Sequence, residues 1–168
     1  MLAMLSEPTS PAANTGTLMV KTLLRGEIAV PIDRLVTFVQ PLLGFDHLTT
    51  FVIYQTQAGP MSWLQSTEDP QVAFCLLEPF AAGIDPDIEL ASGDVSDLGV
   101  SDPADLRTYT TVVLDDDPAQ IRTNLRAPIL VCPRTGRAKQ VVLDDQRLPV
   151  RFYLRDVKEG RNPFPRRA

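Results

Sequence analysis

Histidine, cysteine and long apolar runs are scarce in this chain of 168 residues. The only histidine is His47, and the two cysteines are Cys75 and Cys132. A zinc site made of Cys and His side chains needs three or four protein ligands, and these three residues do not lie at ligand spacing. The glycine-rich phosphate-binding motifs, GxSxG and HExxH are absent as well. We therefore predict a protein that has no catalytic residues, no bound metal and no cofactor.

Apolar residues never approach the run of roughly 18 that a membrane-spanning helix needs. The beginning of the chain has neither the basic start nor the apolar segment of a secretory signal. We therefore expect a cytoplasmic protein without membrane contact, in which both cysteines stay reduced. Residues 1–16 are rich in Pro, Ser, Thr, Ala and Asn, and this composition predicts a disordered N-terminal extension.

Strand signals dominate the rest of the sequence. Fifteen prolines speak against an all-helical protein, and segments rich in β-branched and aromatic residues recur about every 8–12 residues between turn residues. We predict strands at 17–24, 27–32, 49–56, 61–66, 71–79, 107–115, 127–132, 137–143 and 148–154. The segment 33–48 is interpreted as irregular, because Pro41 and Gly44 interrupt it. Four of its apolar side chains are expected to cover the core: Phe38, Leu42, Leu43 and Phe45.

The predicted fold class is all-β, a small antiparallel pseudobarrel or sandwich of about seven to nine strands. One or two short helices are expected, near 94–98 and 102–106, and no others outside 80–106. Residues 17–155 would form a single β domain, and the basic residues 156–168 a flexible tail. The predicted core is a set of apolar strand residues: Val20, Ile28, Phe51, Ile53, Trp63, Leu64, Val72, Phe74, Leu76, Val112, Ile129, Val131, Val141 and Leu143.

Charge is distributed unevenly along the chain. Residues 68–117 carry 13 acidic side chains and one basic side chain, whereas residues 118–168 carry 12 basic and four acidic ones. The acidic middle is suited to attract a basic partner and to repel nucleic acid. The alternative is a solvated face whose field is cancelled by nearby cations. The cations considered for this role are Arg134, Arg137, Lys139, Arg147 and Arg151.

Three groupings have a chemical interpretation and a simpler one. Asp46-His47 resembles part of a hydrolase triad, but no nucleophile motif accompanies it, and a surface histidine is favoured. The stretch 85–89 resembles a calcium loop, but Leu90 stands where such a loop needs glycine. The carboxylates of 115–117 could hold magnesium, but a solvated turn is favoured because no phosphate-binding loop is present.

Two segments carry a family resemblance. The first is Trp63-Leu64-Gln65-Ser66 with Glu68-Asp69-Pro70 and Val72-Ala73-Phe74; the second is Asn124-Leu125-Arg126-Ala127-Pro128-Ile129 with Lys139-Gln140-Val141-Val142-Leu143-Asp144 and Pro149-Val150-Arg151. In residue type, spacing and order, both resemble segments of the flagellar assembly factor family FliW. The stretch around Gly26-Glu27-Ile28 is similar to the opening of that family. The resemblance covers residues 18–154, and the end of the chain after Arg151 departs from the family pattern.

The resemblance implies an all-β pseudobarrel, a cytoplasmic location, no catalysis and two protein partners. One partner is flagellin, which the family binds in a chaperone-like way. The other is CsrA, a small RNA-binding repressor of flagellin translation, which the family sequesters until flagellin accumulates. We therefore expect a monomer that couples flagellin translation to flagellar assembly without touching nucleic acid. The motif residues would have structural roles: Trp63, Leu64, Gln65, Ser66, Asp69, Asn124, Leu125, Arg126 and Pro128.

Two expectations about specific side chains follow. Two sets of acidic residues are expected near the docking surface for CsrA, because a protein that binds RNA phosphates must carry Lys and Arg. We call them the 85–89 acids (Asp85, Asp87 and Glu89) and the 115–117 acids (Asp115, Asp116 and Asp117). Asn124 and Arg126 are expected to hold the entry to the strand at 127–132. The guanidinium of Arg126 would pair with an acidic residue distant in sequence, such as Asp69 or Glu68.

Three rival functions remain open from the residues alone. An enzyme acting on glycans would need two carboxylates in a concave pocket. A single-stranded nucleic-acid binder would need exposed aromatics on a basic face, and only 11 aromatic residues are present. A FliW-like binding module could also have been reused for another role, such as glycan or nucleic-acid binding.

Overall fold

The computed structural model describes residues 16–167, which form eleven strands and two short α-helices. In chain order these are β1 (Thr17–Thr22), β2 (Gly26–Pro31), β3 (Leu35–Phe38), β4 (Thr50–Tyr54), β5 (Met61–Ser66), β6 (Ala73–Leu77), α1 (Ser92–Asp97), β7 (Arg107–Val113), β8 (Arg122–Thr123), β9 (Ile129–Val131), β10 (Arg137–Gln140), β11 (Phe152–Tyr153) and α2 (Arg155–Lys158). Single 3-10 turns occupy Ile32–Arg34, Pro103–Asp105 and Pro118–Gln120. None of the helices in the described residues has the length and the apolar character that crossing a membrane requires. The predicted disorder of residues 1–16 falls almost entirely outside the described residues.

Seven strands close into a barrel in the order β7-β6-β5-β4-β3-β10-β9, with β9 pairing back to β7. This confirms the predicted all-β class and pseudobarrel. All pairings between named strands are antiparallel except that of β10 with β3, where Arg137 lies opposite Thr37. The chain between these two strands is long enough to return in the same direction, as a parallel pair requires.

Gly136 allows β10 to approach β3 at this closure. It has a φ of +71°, and a Cβ atom at this position would lie 2.8 Å from the carbonyl oxygen of Leu35. The amide of Thr37 donates a hydrogen bond to the carbonyl of Gly136 at 2.8 Å. A side chain would therefore clash with β3 and would also have to adopt a left-handed backbone conformation.

Alternate residues of the barrel strands fill its interior. Phe51, Leu64, Leu76 and Ile129 are fully buried there, and the ring of Phe38 meets that of Phe51 edge-on at 5.2 Å. Of the predicted core, eight residues are buried: Val20, Phe51, Leu64, Leu76, Val112, Ile129, Val131 and Val141. The other six are half-buried, packed at the margins of the apolar clusters: Ile28, Ile53, Trp63, Val72, Phe74 and Leu143.

Three layers cover the outer faces of the barrel. The β1–β2 hairpin packs Val20 and Val30 against Val52 of β4. Helix α1 and the residues after it pack over β9 and β10. The segment 79–84 and the C-terminal residues pack over β5, β6 and β7. The outward-facing apolar residues of the strands are therefore also part of the core.

Lys139 fastens α1 to β10. Its Nζ lies 2.7 Å from the Asp94 carboxylate and 2.9 Å from that of Asp97, and the lysine is almost entirely buried. Hydrogen bonds to Asp94 and then Asp97 raise the pKa of Lys139. Lys139 was one of the cations considered for cancelling the acidic field. Its charge is instead paired with the two carboxylates of α1.

Several predicted elements need correction. The segment 33–48 contains strand β3, because Val36 and Phe38 alternate into the barrel, and Leu43 is 71% exposed instead of covering the core. The strand predicted at 148–154 is reduced to the two residues of β11. Helix α2 and two of the 3-10 turns lie outside 80–106, where short helices were expected.

The C-terminal residues have defined positions, which differs from the flexible tail predicted over 156–168. Phe164 packs near Phe152 with ring centroids 6.3 Å apart, and its carbonyl accepts a hydrogen bond from the amide of Asp85 at 2.8 Å. Asn162 Nδ2 donates to the carbonyl of Gly83 at 3.0 Å. The basic residues and prolines of this segment predicted a solvated C-terminal end. Its apolar side chains Val157 and Phe164 nevertheless pack against the core and attach the segment to the barrel.

Phe51→Ala is expected to lower the free energy of unfolding by about 3–5 kcal/mol, because its ring is fully buried in the barrel. Phe74→Ala is expected to cost less, since that ring is half-buried beside Phe45 at a centroid distance of 5.0 Å. Chemical denaturation of the two variants measures the difference. An equal or larger loss in Phe74→Ala would contradict the position of Phe51 at the centre of the barrel.

Candidate protein-docking surface

The 85–89 acids lie near the start of β7, between the C-terminal residues and the barrel. A cavity of about 530 Å³ is lined there by Glu78, Asp85, Asp87 and Arg107. Glu89 lines an adjoining cleft of about 260 Å³ together with Asp145 and Arg147. This end of the barrel is concave and acidic, but it also contains cations.

The 115–117 acids follow the other end of β7. The strand has seven residues, and a rise of about 3.3 Å per residue separates its two ends by roughly 20 Å. The two acidic sets therefore lie at opposite ends of β7. Counting charges along the chain could not reveal this separation, because it arises from strand β7, which lies between the two acidic sets.

Hydrogen bonds from backbone amides to carboxylates fix the shape of the 115–117 turn. The Asp115 carboxylate accepts a bond from the amide of Asp117 at 2.9 Å, and the Asp117 carboxylate accepts one from Ala119 at 2.9 Å, where it caps the 3-10 turn. Asp116 accepts no hydrogen bond among the described residues. All three carboxylates are exposed, so the turn holds three negative charges in solvent.

Cations partly offset the charge of the 85–89 acids. Arg167 lies 3.6 Å from Asp87, and Arg107 lies 3.9 Å from the neighbouring Glu78. The pKa of Arg147 is raised mainly by its hydrogen bonds to Asp145, and further by the charges of Asp87 and Glu89.

The 115–117 acids have no ion pair within residues 16–167. Of the cations considered for cancelling the acidic field, Arg147 pairs with Asp145 at 2.7 Å and Lys139 with the acids of α1. Arg134, Arg137 and Arg151 form no ion pair with the 115–117 acids in the described part of the chain. Among the described residues, the 115–117 acids thus have no ion pair, whereas Asp87 of the 85–89 acids has one.

The groups considered for other chemistry are arranged differently. Across residues 16–167, no group of three or more His, Cys, Asp and Glu side chains is placed to hold a metal ion. Asp46 and His47 are both exposed. Cys75 and Cys132 are buried free thiols, and burial raises the pKa of Cys75 to about 11.

Gln65 connects three parts of the fold. Its side chain is fully buried. Its Oε1 accepts a hydrogen bond from the amide of Leu23, at the tip of the β1–β2 hairpin, at 2.9 Å. Its Nε2 donates to the carbonyls of Ser66 and Val72, both at 3.1 Å. This amide therefore ties the hairpin to the barrel and to the turn after β5.

The turn after β5 is built by the other polar residues of the same motif. Ser66 Oγ accepts bonds from the amides of Glu68 and Asp69 at 3.1 and 3.0 Å. Glu68 Oε1 accepts bonds from the amides of Thr49 and Thr50 at 3.0 and 2.8 Å. These bonds, led by those of the Thr49 and Thr50 backbone, lower the pKa of Glu68. The motif therefore serves to join β4, β5 and β6.

The predicted ion pair of Arg126 with Asp69 or Glu68 is wrong. Arg126 Nε donates to the carbonyl of Leu148 at 2.8 Å. The Glu68 carboxylate instead accepts from the amide of Thr49, before β4, and the Asp69 carboxylate from that of Gln71, between β5 and β6. Asn124 Oδ1 accepts a hydrogen bond from the amide of Arg126 at 2.9 Å. Asn124 and Arg126 thus shape the entry to β9 through backbone contacts.

An apolar groove that lies beside α2 was not predicted from the sequence. We name it the α2 groove; it measures about 530 Å³ and its apolar lining includes Met61, Leu77, Ala82, Ile121, Leu154 and Val157. Pro118 and Ala119 also line it, so it adjoins the turn of the 115–117 acids. The spacing of Leu154 and Val157 fits one face of a helix and could have predicted it.

Comparison with known proteins gives a consistent result. The family model described as "FliW protein" matches residues 19–154. The chain is 34% identical over 136 residues to the flagellar assembly factor FliW of Caldicellulosiruptor bescii, which covers 81% of this chain and 90% of the relative. It is 34% identical over 141 residues to that of Ruminiclostridium cellulolyticum, covering 83% and 95%.

A solved structure is also similar. A crystal structure of the flagellar assembly factor FliW superimposes with a TM-score of 0.74 and 27% sequence identity, covering 83% of this chain and 96% of the other. The residues that the family model matches, 19–154, contain the barrel and both motifs.

Gln65→Leu is expected to destabilise the protein by about 2–4 kcal/mol, because an apolar side chain leaves the Leu23 amide without its acceptor and removes the donor to the carbonyls of Ser66 and Val72. Chemical denaturation measures the loss, and hydrogen exchange should show faster exchange of the Leu23 amide. Gln55→Leu is the matched control, since Gln55 is exposed. A loss in Gln65→Leu no larger than in the control would refute the role given to Gln65.

Glu68→Gln is expected to destabilise the protein more at neutral pH than in acid. Because the folded state lowers the pKa of Glu68, its stabilisation is present above the pKa of the unfolded chain and is lost as pH falls through the folded value. The gap in unfolding free energy between wild type and variant should therefore narrow in acid. Denaturation at pH values on both sides of this range, with Glu27→Gln as a control, tests it; a constant gap would contradict the prediction.

Proposed function

The chain belongs to the FliW family of flagellar assembly factors, and from this premise we propose that it is a non-enzymatic cytoplasmic protein with two alternative protein partners. One partner is CsrA, an RNA-binding repressor of flagellin translation. The other is flagellin, which the protein holds in a chaperone-like way. Exchange between the two partners couples flagellin translation to assembly of the flagellum.

The observation that carries the CsrA part of this proposal is the exposed turn of the 115–117 acids. Its three carboxylates are in solvent and have no ion pair among residues 16–167. A protein that binds RNA phosphates presents Lys and Arg side chains. Charge complementarity therefore favours this turn as the place where the basic partner docks.

The choice between the two acidic sets follows from their surroundings. Arg167, Arg147 and Arg107 lie close to the 85–89 acids or to their neighbour Glu78. No such cation is paired with the 115–117 acids in the described part of the chain. We assign the main electrostatic role to the 115–117 acids and only a minor one to the 85–89 acids.

A negative surface has two consequences for such a partner. Opposite potentials accelerate encounter by a factor of about 10 or more at low salt. The same potential repels RNA, so that RNA is kept away without the RNA-binding groove being filled. Flagellin would be held by apolar contacts and would show a weaker salt dependence, because burial of apolar surface is little affected by ionic screening.

Replacing Asp115, Asp116 and Asp117 together by Asn is expected to slow association with CsrA about tenfold at ~50 mM salt. Asn keeps the side-chain oxygen that accepts the amides of Asp117 and Ala119, so the turn is retained while three charges are lost. At ~300 mM salt the screening length is two- to three-fold shorter, and the difference should shrink. Stopped-flow measurement of the association rate with purified CsrA tests this.

The matched control removes the same number of charges at the other end of β7, by Asp85→Asn, Asp87→Asn and Glu89→Gln. If net charge alone controlled the rate, the two triple variants would slow association equally, and the assignment to the 115–117 acids would be wrong. If both variants associate as fast as wild type at both salt concentrations, neither acidic set steers CsrA.

A further inference from the structure

The α2 groove is an apolar depression on the outside of the barrel, at the edge of the C-terminal layer. Its floor comes from β5 and β6 through Met61 and Leu77, and its sides come from α2 and the Pro118–Gln120 turn. A volume of about 530 Å³ lies within the range of pockets that bury ligands of several hundred daltons. It is large enough for a few apolar side chains of a partner.

The rim of the groove is positively charged on its α2 side. Arg155 and Lys158 line it, and neither has a carboxylate oxygen within 4.0 Å among the described residues. The third charged residue there, Glu159, pairs with Arg161, which also binds Asp156 at 2.8 Å. Arg155 and Lys158 therefore line the groove without an acidic partner among the described residues, whereas Glu159 is already paired with a cation.

Arg155 is held in place although it lacks an acidic partner. Its guanidinium lies 5.1 Å from the centre of the Tyr153 ring, a distance typical of a cation–π contact. Its Nε is buried and has no hydrogen-bond partner. A partner's carboxylate cannot reach this buried Nε, but it can reach the terminal nitrogens of the fixed guanidinium at low entropic cost, because they have no hydrogen-bond partner among residues 16–167.

We propose that the α2 groove docks an apolar segment of a partner protein whose apolar side chains are flanked by carboxylates. The apolar lining excludes a highly charged occupant, and Arg155 and Lys158 select negative over positive flanks. The 115–117 acids, which adjoin the opposite side through Pro118, fix the orientation, since carboxylates next to them would be repelled. This inference rests on the proposed function in one respect: it assigns the apolar partner of that proposal, flagellin, to this groove.

Two substitutions test the groove directly, and the chain offers a matched control for each. Ala119→Trp fills the groove from the Pro118–Gln120 turn, whereas Ala104→Trp places the same side chain in the Pro103–Asp105 turn, which an aspartate caps in the same way. Lys158→Glu reverses a rim charge, and Lys21→Glu makes the same change on exposed β1. Unchanged thermal unfolding of each variant verifies that it is folded.

The first probe is a fluorescent amphipathic peptide made of Leu and Glu, compared with the corresponding Leu and Lys peptide. We expect the Leu/Glu peptide to bind wild type more tightly than the Leu/Lys peptide. Its affinity should fall about tenfold in Ala119→Trp and Lys158→Glu and stay unchanged in the two controls. Equal affinity of the Leu/Glu peptide for all variants would overturn the proposed groove.

The second probe is purified flagellin, which separates the inference from the proposed function. A weaker complex with Ala119→Trp and Lys158→Glu, but not with the controls, supports the assignment. If flagellin binds wild type and all variants alike, the groove is not its site and the inference fails, while the proposed function stands. If flagellin does not bind wild type, the flagellin part of the proposed function fails, and the peptide result alone decides about the groove.

Discussion

The whole structure depends on the way in which β7 divides one of its edges between two partners. Its first residues pair with β9 and close the barrel, whereas Val112 and Val113 pair with β8. Closure leaves the barrel strands few exposed edges to recruit other chains. Short strands also leave many apolar side chains on the outer face, so three further layers are needed to cover them. The hairpin, α1 and the C-terminal residues are thus structural parts of one core.

Both surfaces proposed for binding lie at the margins of the outer layers. The acidic turn follows directly from the end of β7, and the α2 groove lies where the C-terminal layer meets the Pro118–Gln120 turn. One side of this region is acidic and the other basic, with apolar residues between them. Such a pattern can discriminate between partners, because each zone rejects a different chemistry.

The sequence was sufficient for six of the seven barrel strands and for the family, because alternation and two motifs are local signals. It did not predict the features that depend on contacts between residues far apart in the chain. β3 was missed because Pro41 and Gly44 suggested an interruption, although alternation of Val36 and Phe38 was present. The partner of Arg126 is a backbone carbonyl, which no residue type indicates. The C-terminal residues looked solvated because composition outweighed a few apolar side chains, and the α2 groove exists only because those residues fold back.

The parallel pairing of β3 with β10 has a consequence for biosynthesis. Residues 35–38 leave the ribosome about a hundred residues before residues 137–140, which they need as neighbours. Until then, β3 has an open edge and the barrel interior is exposed on that side, so the nascent chain cannot complete its core. Ribosome pausing late in the message would prolong this vulnerable interval, and pausing early would not. The order of synthesis therefore sets how long this edge stays open to pairing with another chain.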